Sequence, residues 1–279
     1  MSAENPGGRL DLSGGAFLRR VKRTLTTNQY VIFVESIGSI VLLWAILSYV
    51  FGYEATVSTP GAVGIATYEL FVSLEWVSIV YTTLRRIFWG FLISVTGGTV
   101  LGVLMGVSDF WDRTFQDFVT VGLAFPSLFI AVFAAMWFGP GDTAPIVTAA
   151  IAPMPFVAQN VYQGVENIDR NLVEMAEAFD VSEKRVTRRI VFQSIMPEWF
   201  TGVRYGFAGA WKVVTLAEAV AAGSGVGFMI RRELSLLSLP GVFKWTVLFG
   251  IIIMIIEYGL FQQTEKVVFD WREETTTTW

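Results

Sequence analysis

The sequence predicts an all-α fold, a polytopic membrane bundle of about six transmembrane helices. Two observations carry this. Charged residues make up only 16% of the 279-residue chain, against about 25% in an ordinary soluble domain. The deficit is concentrated in long stretches with no charge at all, and the mean hydropathy is +0.56.

A helix rises about 1.5 Å per residue, so about 20 apolar residues cross a hydrocarbon core of about 30 Å. Residues 31–51 are apolar apart from Glu35 and a few serines. Residues 87–107 and 118–138 carry no charge. Residues 143–164 carry none either, but Pro145, Pro153 and Pro155 predict a kink or a break. Residues 199–230 are rich in Gly and Ala and hold Arg204, Lys212 and Glu218, and the glycines at 223, 225 and 227 predict a break. Residues 242–261 carry only Lys244 near their start and Glu257 near their end. Gly98, Gly102 and Gly106 fall on one side of the second span, a spacing that lets helix backbones approach closely.

The connecting segments sort by charge. The arm 1–30 holds Arg9, Arg19, Arg20, Lys22 and Arg23, and no cleavable leader is visible in it. The segment 165–197 holds Arg170, Lys184, Arg185, Arg188 and Arg189, and the tail 266–279 holds Lys266 and Arg272. The alternate segment 52–82 has no Lys or Arg. The positive-inside rule therefore places both termini in the cytoplasm, with a transmembrane domain over 31–265.

Composition also excludes chemistry. With no Cys and no His, the chain cannot build a Cys/His zinc site, a thiol nucleophile, a Ser-His-Asp triad or a disulfide framework. The net charge of −4 argues against a nucleic-acid partner. A phosphate-cradling Gly-x-x-x-x-Gly-Lys-Ser/Thr loop is missing, so the chain is not expected to hydrolyse ATP.

The segment 165–197 is too polar for the bilayer but is patterned. Leu172, Val173, Ala176 and Phe179 recur at helical spacing. Asp180 followed by Glu183 predicts a capping box, and Val186, Ile190 and Ile195 give a second helix an apolar side. Two short helices should meet at a sharp corner beneath the membrane. Periodicity alone leaves two uses open: an amphipathic connector on the lipid surface, or a docking site for a partner protein.

The residue order in this corner resembles the cytoplasmic signature of permease subunits of binding-protein-dependent ABC importers. Glu174, Met175 and Ala176 stand at its Glu-Ala-Ala, Asp180 at its Gly, Val181 and Ser182 at the following pair, Ile190, Val191 and Phe192 at its apolar positions, and Pro197 at its final Pro. Met175, Asp180 and Gln193 depart from the pattern. At Asp180 the usual Gly permits a left-handed corner, a conformation that Asp tolerates better than most residues. AFPSLFIAVFAAMWFGPGD, AWKVVTLAEAVAAGSGVGFMI and TEKVVFDWR are similar to the nitrate, sulfonate and taurine branch, and the resemblance covers residues 30–272.

The resemblance implies the type I importer permease fold seen in the methionine system and a non-catalytic membrane subunit. It implies ATP and Mg on a separate ATPase, an extracytoplasmic binding protein and a second permease chain, a homodimer being expected. Glu174, Met175, Ala176, Phe179, Asp180, Val181 and Ser182 would form the coupling helix that sits in the ATPase. The implied solute is a small anion such as a sulfonate, taurine or nitrate, with a thiamine-pathway pyrimidine as the alternative. A stand-alone secondary transporter or channel is the competing class, and it would need inverted repeats and paired intramembrane charges.

Candidate pathway residues are Pro126, Lys212 and Glu218. Lys212 lies about 13 residues into its span, at roughly 20 Å of rise, where a charge is costly and a functional candidate by default. It is suited to attract an anionic solute; the more ordinary reading is a buried pair with Glu218, Glu35 or Glu257. The more ordinary reading of Pro126 is a packing kink. Arg204 is expected to snorkel to water.

Overall fold

The computed structural model describes residues 29–50 and 58–268, and what it describes is helical. The N-terminal arm as far as residue 28, and the tail beyond residue 268 with its threonine run, lie outside the described residues. The chain divides into two units, residues 1–64 and residues 65–279.

In the first unit, α1 (Gln29–Ala45) continues as a wide π-type turn through Ile46–Val50. Together they run helical over residues 29–50, covering the predicted first span as far as the described residues go, with Glu35–Val50 as the apolar part. The Trp44 indole N–H donates to the Ser58 carbonyl at 2.7 Å.

Two features of the next stretch differ from the sequence reading. Residues 60–73 form a helix, α2 (Pro60–Ser73), within what was expected to be a connecting segment. After a corner at Leu74 (φ 57°), α3 runs over Glu75–Val107, twelve residues earlier than the predicted start at 87. Arg85 and Arg86, which precede the predicted start, are inside the helix. The early start follows from pairing: both arginines find carboxylate partners, so their charges do not exclude them from a packed helix.

Among the described residues of the second unit, three helical segments are long and apolar enough to cross a membrane: Glu75–Val107, Thr143–Glu166 and Leu239–Glu265. Two more arise if each bent pair counts as one span. The first pair is α4 (Asp109–Ala124) and α5 (Ser127–Phe138), which meet at 98°. Pro126 lies at the break, and Phe125 before it is extended (ψ 126°), the conformation that proline imposes on its predecessor. A full break therefore replaces the packing kink. The second pair bends by 47° between Ala221 and Val226, within the predicted glycine run. With Glu35–Val50, the apolar segments number about six, as the sequence predicted.

The second span of the core is α6 (Thr143–Ile151) followed by α7 (Met154–Glu166), bent at Ala152 and Pro153. After α8 (Arg170–Ala178) and α9 (Glu183–Val186), a wide turn over Thr187–Val191 leads directly into α10 (Phe192–Ala221). Then come α11 (Val226–Ser235), α12 (Leu239–Ile256), which continues through Glu257–Phe261, and α13 (Gln262–Val268).

Small residues decide how these helices meet. Gly90 faces Ala149, Gly98 faces Val157, Gly102 faces Ala158 and Val161, and Gly106 faces Val165, so α3 runs parallel to α6–α7. Gly202 and Gly206 face Val157, and Gly209 faces Pro153, so α10 runs antiparallel to the same pair. Trp211 against Phe249 and Phe207 against Phe261 place α12 antiparallel to α10. The core gathers Val80, Ile87, Ala149, Phe207, Val214 and Phe249 at the junction.

At Gly102 a Cβ would meet the backbone of Ala158 and Tyr162, which cannot yield as a side chain can. Gly102→Val is expected to destabilise by about 1–3 kcal/mol. Gly259→Ala, where a Cβ meets nothing within 4 Å, should be nearly neutral. Thermal unfolding of the detergent-solubilised protein, followed by tryptophan fluorescence, checks both.

Candidate functional site

Three arrangements stand out, and the first is the helix corner. α8 begins at Asp169, whose side chain accepts from the Asn171 N–H at 2.9 Å, an ordinary N-cap. It ends with Asp180 in the left-handed region (φ 56°). The Val181 N–H donates to the Ala176 carbonyl and the Asp180 N–H to the Glu177 carbonyl, both at 3.0 Å. These two bonds make a Schellman closure with Asp in the place glycine usually takes. The predicted capping box does not form, because Asp180 is committed to the corner and Ser182 precedes α9 instead.

The apolar face predicted for this segment divides. Ala176 is buried and Val173 half-buried, whereas Leu172, Met175 and Phe179 are exposed, Phe179 to 77%. Glu174, Glu177 and Ser182 are exposed beside them. The corner thus presents an apolar knob flanked by acids, backed by a helix that runs unbroken from Glu183 to Ala221.

The second arrangement is a buried ionic cluster at the far end of α10. Arg86 is 2% exposed and Glu218 is fully buried. The Arg86 guanidinium donates to Glu218 Oε1 at 2.7 Å, to the Ser224 carbonyl at 2.7 Å and to Asp142 Oδ1 at 2.6 Å. Glu218 also accepts from the Thr83 hydroxyl at 3.0 Å and from the Gly227 N–H at 3.0 Å. The Val226 N–H in turn donates to the Thr83 hydroxyl oxygen at 2.9 Å. Arg85 pairs with the second oxygen of Asp142. Partial burial pushes the Asp142 carboxyl up, but the Arg86 and Arg85 guanidiniums outweigh it and hold the group below the usual carboxylate range. The break after α10 is closed by Arg231, which donates to the carbonyls of Val220 and Ala222.

The third is a groove of about 600 Å³ between α10 and α12, lined among others by Thr201, Tyr205, Trp211, Lys212, Gly250 and Tyr258. Arg204 at one end is held by Glu257 at 2.6 Å and by Glu265 at 2.9 Å, so it is paired rather than snorkelling free. Lys212 is exposed, with its ammonium 5.6 Å from the Trp211 ring. It makes no ion pair within its own unit among the described residues, and two of the three acids named for it are committed elsewhere, Glu218 to Arg86 and Glu257 to Arg204. Pro126, Lys212 and Glu218 therefore occupy three separate places: a helix break, a groove and a buried cluster.

The match to known proteins now decides the family. Residues 98–260 match the model of the binding-protein-dependent transport system inner membrane component. The chain belongs to that family. This ABC importer permease is 24% identical over 238 residues to a putative aliphatic sulfonates transport permease of Bacillus subtilis, covering 84% of each chain. It is 26% identical over 178 residues to the taurine transport system permease of Escherichia coli, covering 64% of this chain and 65% of that one. Among solved structures, an inward-facing methionine ABC transporter chain superposes with a TM-score of 0.60 at 20% identity, over 70% of this chain and 98% of that chain. That likeness shows the fold.

The sequence reading of the permease missed Arg86, Asp142, Thr83 and Ser224. A signal was present, because an arginine and a glutamate in otherwise apolar helices must find partners. Arg86→Met, which strands the Glu218 carboxylate, is expected to destabilise by about 3–5 kcal/mol. Arg85→Met, at a half-exposed pair, should cost under about 1 kcal/mol. Unfolding midpoints of the two variants separate these outcomes. At the corner, Asp180→Gly should be neutral or stabilising, whereas Asp180→Val should loosen the turn by about 1–2 kcal/mol. Amide hydrogen exchange of Val181 and its neighbours reads that difference.

Proposed function

We propose that this permease forms the translocation pathway for a small anion of the sulfonate class, working as a homodimer on two ATPase subunits and fed by an extracytoplasmic binding protein. The α8–α9 corner faces the cytoplasm, as do both termini, and the Asp142 end faces outward. ATP and Mg reside on the ATPase, and this chain binds neither. Sulfonate and taurine permeases among its relatives support the solute class.

The single observation that carries the coupling role is the corner itself: Phe179 and Met175 stand exposed beside Glu174 on a closed turn. An exposed apolar knob with an acidic rim suits a cleft on a partner better than a lipid surface rich in anionic headgroups. The 39 residues from Glu183 to Ala221 would extend about 58 Å as one helix. Closure of the ATPase pair on ATP moves the corner, and the helix carries that displacement to the far end of the bundle. ATP contributes by favouring one of two arrangements of the same packed helices.

The test is a double substitution, Glu174→Ala with Phe179→Ala, in the assembled transporter. Both side chains are exposed, so folding should be preserved. The expected result is loss of ATPase subunits on co-purification and a drop in ATP-driven taurine uptake of tenfold or more. Normal assembly and uptake would refute the coupling role. Uptake of a thiamine-pathway pyrimidine in place of taurine would overturn the solute class alone.

A further inference from the structure

We propose that the groove between α10 and α12 is a water-filled station at mid-depth in the membrane, where Lys212 holds the anionic head of the solute. This rests on the permease reading above and names the site within it.

Depth comes first. Lys212 stands nine residues before the end of α10 at Ala221, about 14 Å of rise, roughly half of a 30 Å core. An ammonium there is too far from either interface for its four-carbon stem to carry it out. The remaining options are a counter-ion or water. The acids nearest along the bundle are committed elsewhere, Glu218 to Arg86 and Glu257 and Glu265 to Arg204. Lys212 is exposed even so. A lipid-facing surface cannot carry a free cation at that depth, so this face lines water.

The lining then suggests what the water gives way to. Tyr205 and Tyr258 bring hydroxyls, Trp211 brings an aromatic wall, and Gly250 leaves room opposite. The volume of about 600 Å³ is that of a small-molecule site. Lysine is a compact point charge with no planar fork, so it suits a small anion that can turn, such as a sulfonate head on a short carbon stem. Arg204, which has the fork geometry for a fixed bidentate grip, is already occupied by two carboxylates.

The natural chain contains no Cys, so a single introduced thiol reports its own surroundings. Full-length Lys212→Cys and Tyr205→Cys, assembled with the ATPase in membrane vesicles, are treated with the anionic reagent sulfonatoethyl methanethiosulfonate. A thiol reacts as thiolate, which requires water. Both positions should label, and taurine should slow labelling at 212, whereas Ile255→Cys on the exposed apolar side of α12 should not label. In uptake assays, Lys212→Gln should cut taurine transport at least tenfold with ATPase assembly intact, and Lys212→Arg should restore most of it. Unreactive thiols at 212 and 205, or full taurine uptake by Lys212→Gln, would overturn the proposal and leave the permease reading standing. Absence of ATP-driven uptake by the parent complex would instead refute the solute class, and the labelling result would still decide whether the groove holds water.

Discussion

A guanidinium cut off from water must be surrounded by acceptors, and at Arg86 that requirement organises one end of the bundle. Its partners come from the turn before α6, from the end of α10 and from the break that follows it. Each of these segments carries backbone that lipid could not satisfy. Glu218 extends the arrangement by accepting from the Gly227 N–H, which lets α11 start without a side-chain cap of its own. Removing the arginine would leave a buried carboxylate and an open carbonyl together, so the cluster acts as one unit.

The architecture was legible because its dominant signal is length without charge, and that signal is independent of tertiary detail. Gly98, Gly102 and Gly106 were readable for a similar reason: a four-residue spacing fixes a helix face whatever it packs against. The corner was readable through Asp180, one of the few residues besides glycine that accepts a positive φ. What stayed hidden depended on partners far apart in sequence. Arg86 and Glu218 are separated by 132 positions. Read alone, Arg86 marks the end of a span; read with its partner, it belongs inside one. Lys212 misled in the opposite direction, since Glu218 and Glu257 looked available and both had a stronger claim elsewhere.

The corner, the groove and the ionic cluster share one element. The helix leaving the corner at Glu183 passes Arg204, then Lys212, then Glu218 before it breaks. A displacement applied at Phe179 thus arrives at the groove before it reaches the cluster. Because Glu218 is tied to α3 through Arg86 and Thr83, the far end of this helix is anchored while its near end projects. A lever fixed at one end and pushed at the other moves in proportion to distance from the fixed end, so the Arg204 end of the groove shifts more than the level of Lys212.

The glycine contacts of α7 set what kind of movement the bundle permits. Helix α7 is approached on one side by α3 through Gly98, Gly102 and Gly106, and on another by α10 through Gly202 and Gly206. Each glycine is notched over a valine or a backbone carbonyl. Sliding either neighbour along α7 by less than a full turn, about 5.4 Å, would drive side chains into those notches. Rocking about them meets no such obstacle. Helix α7 is therefore a keel: its glycine contacts resist travel of either neighbour along it far more than a roll against it.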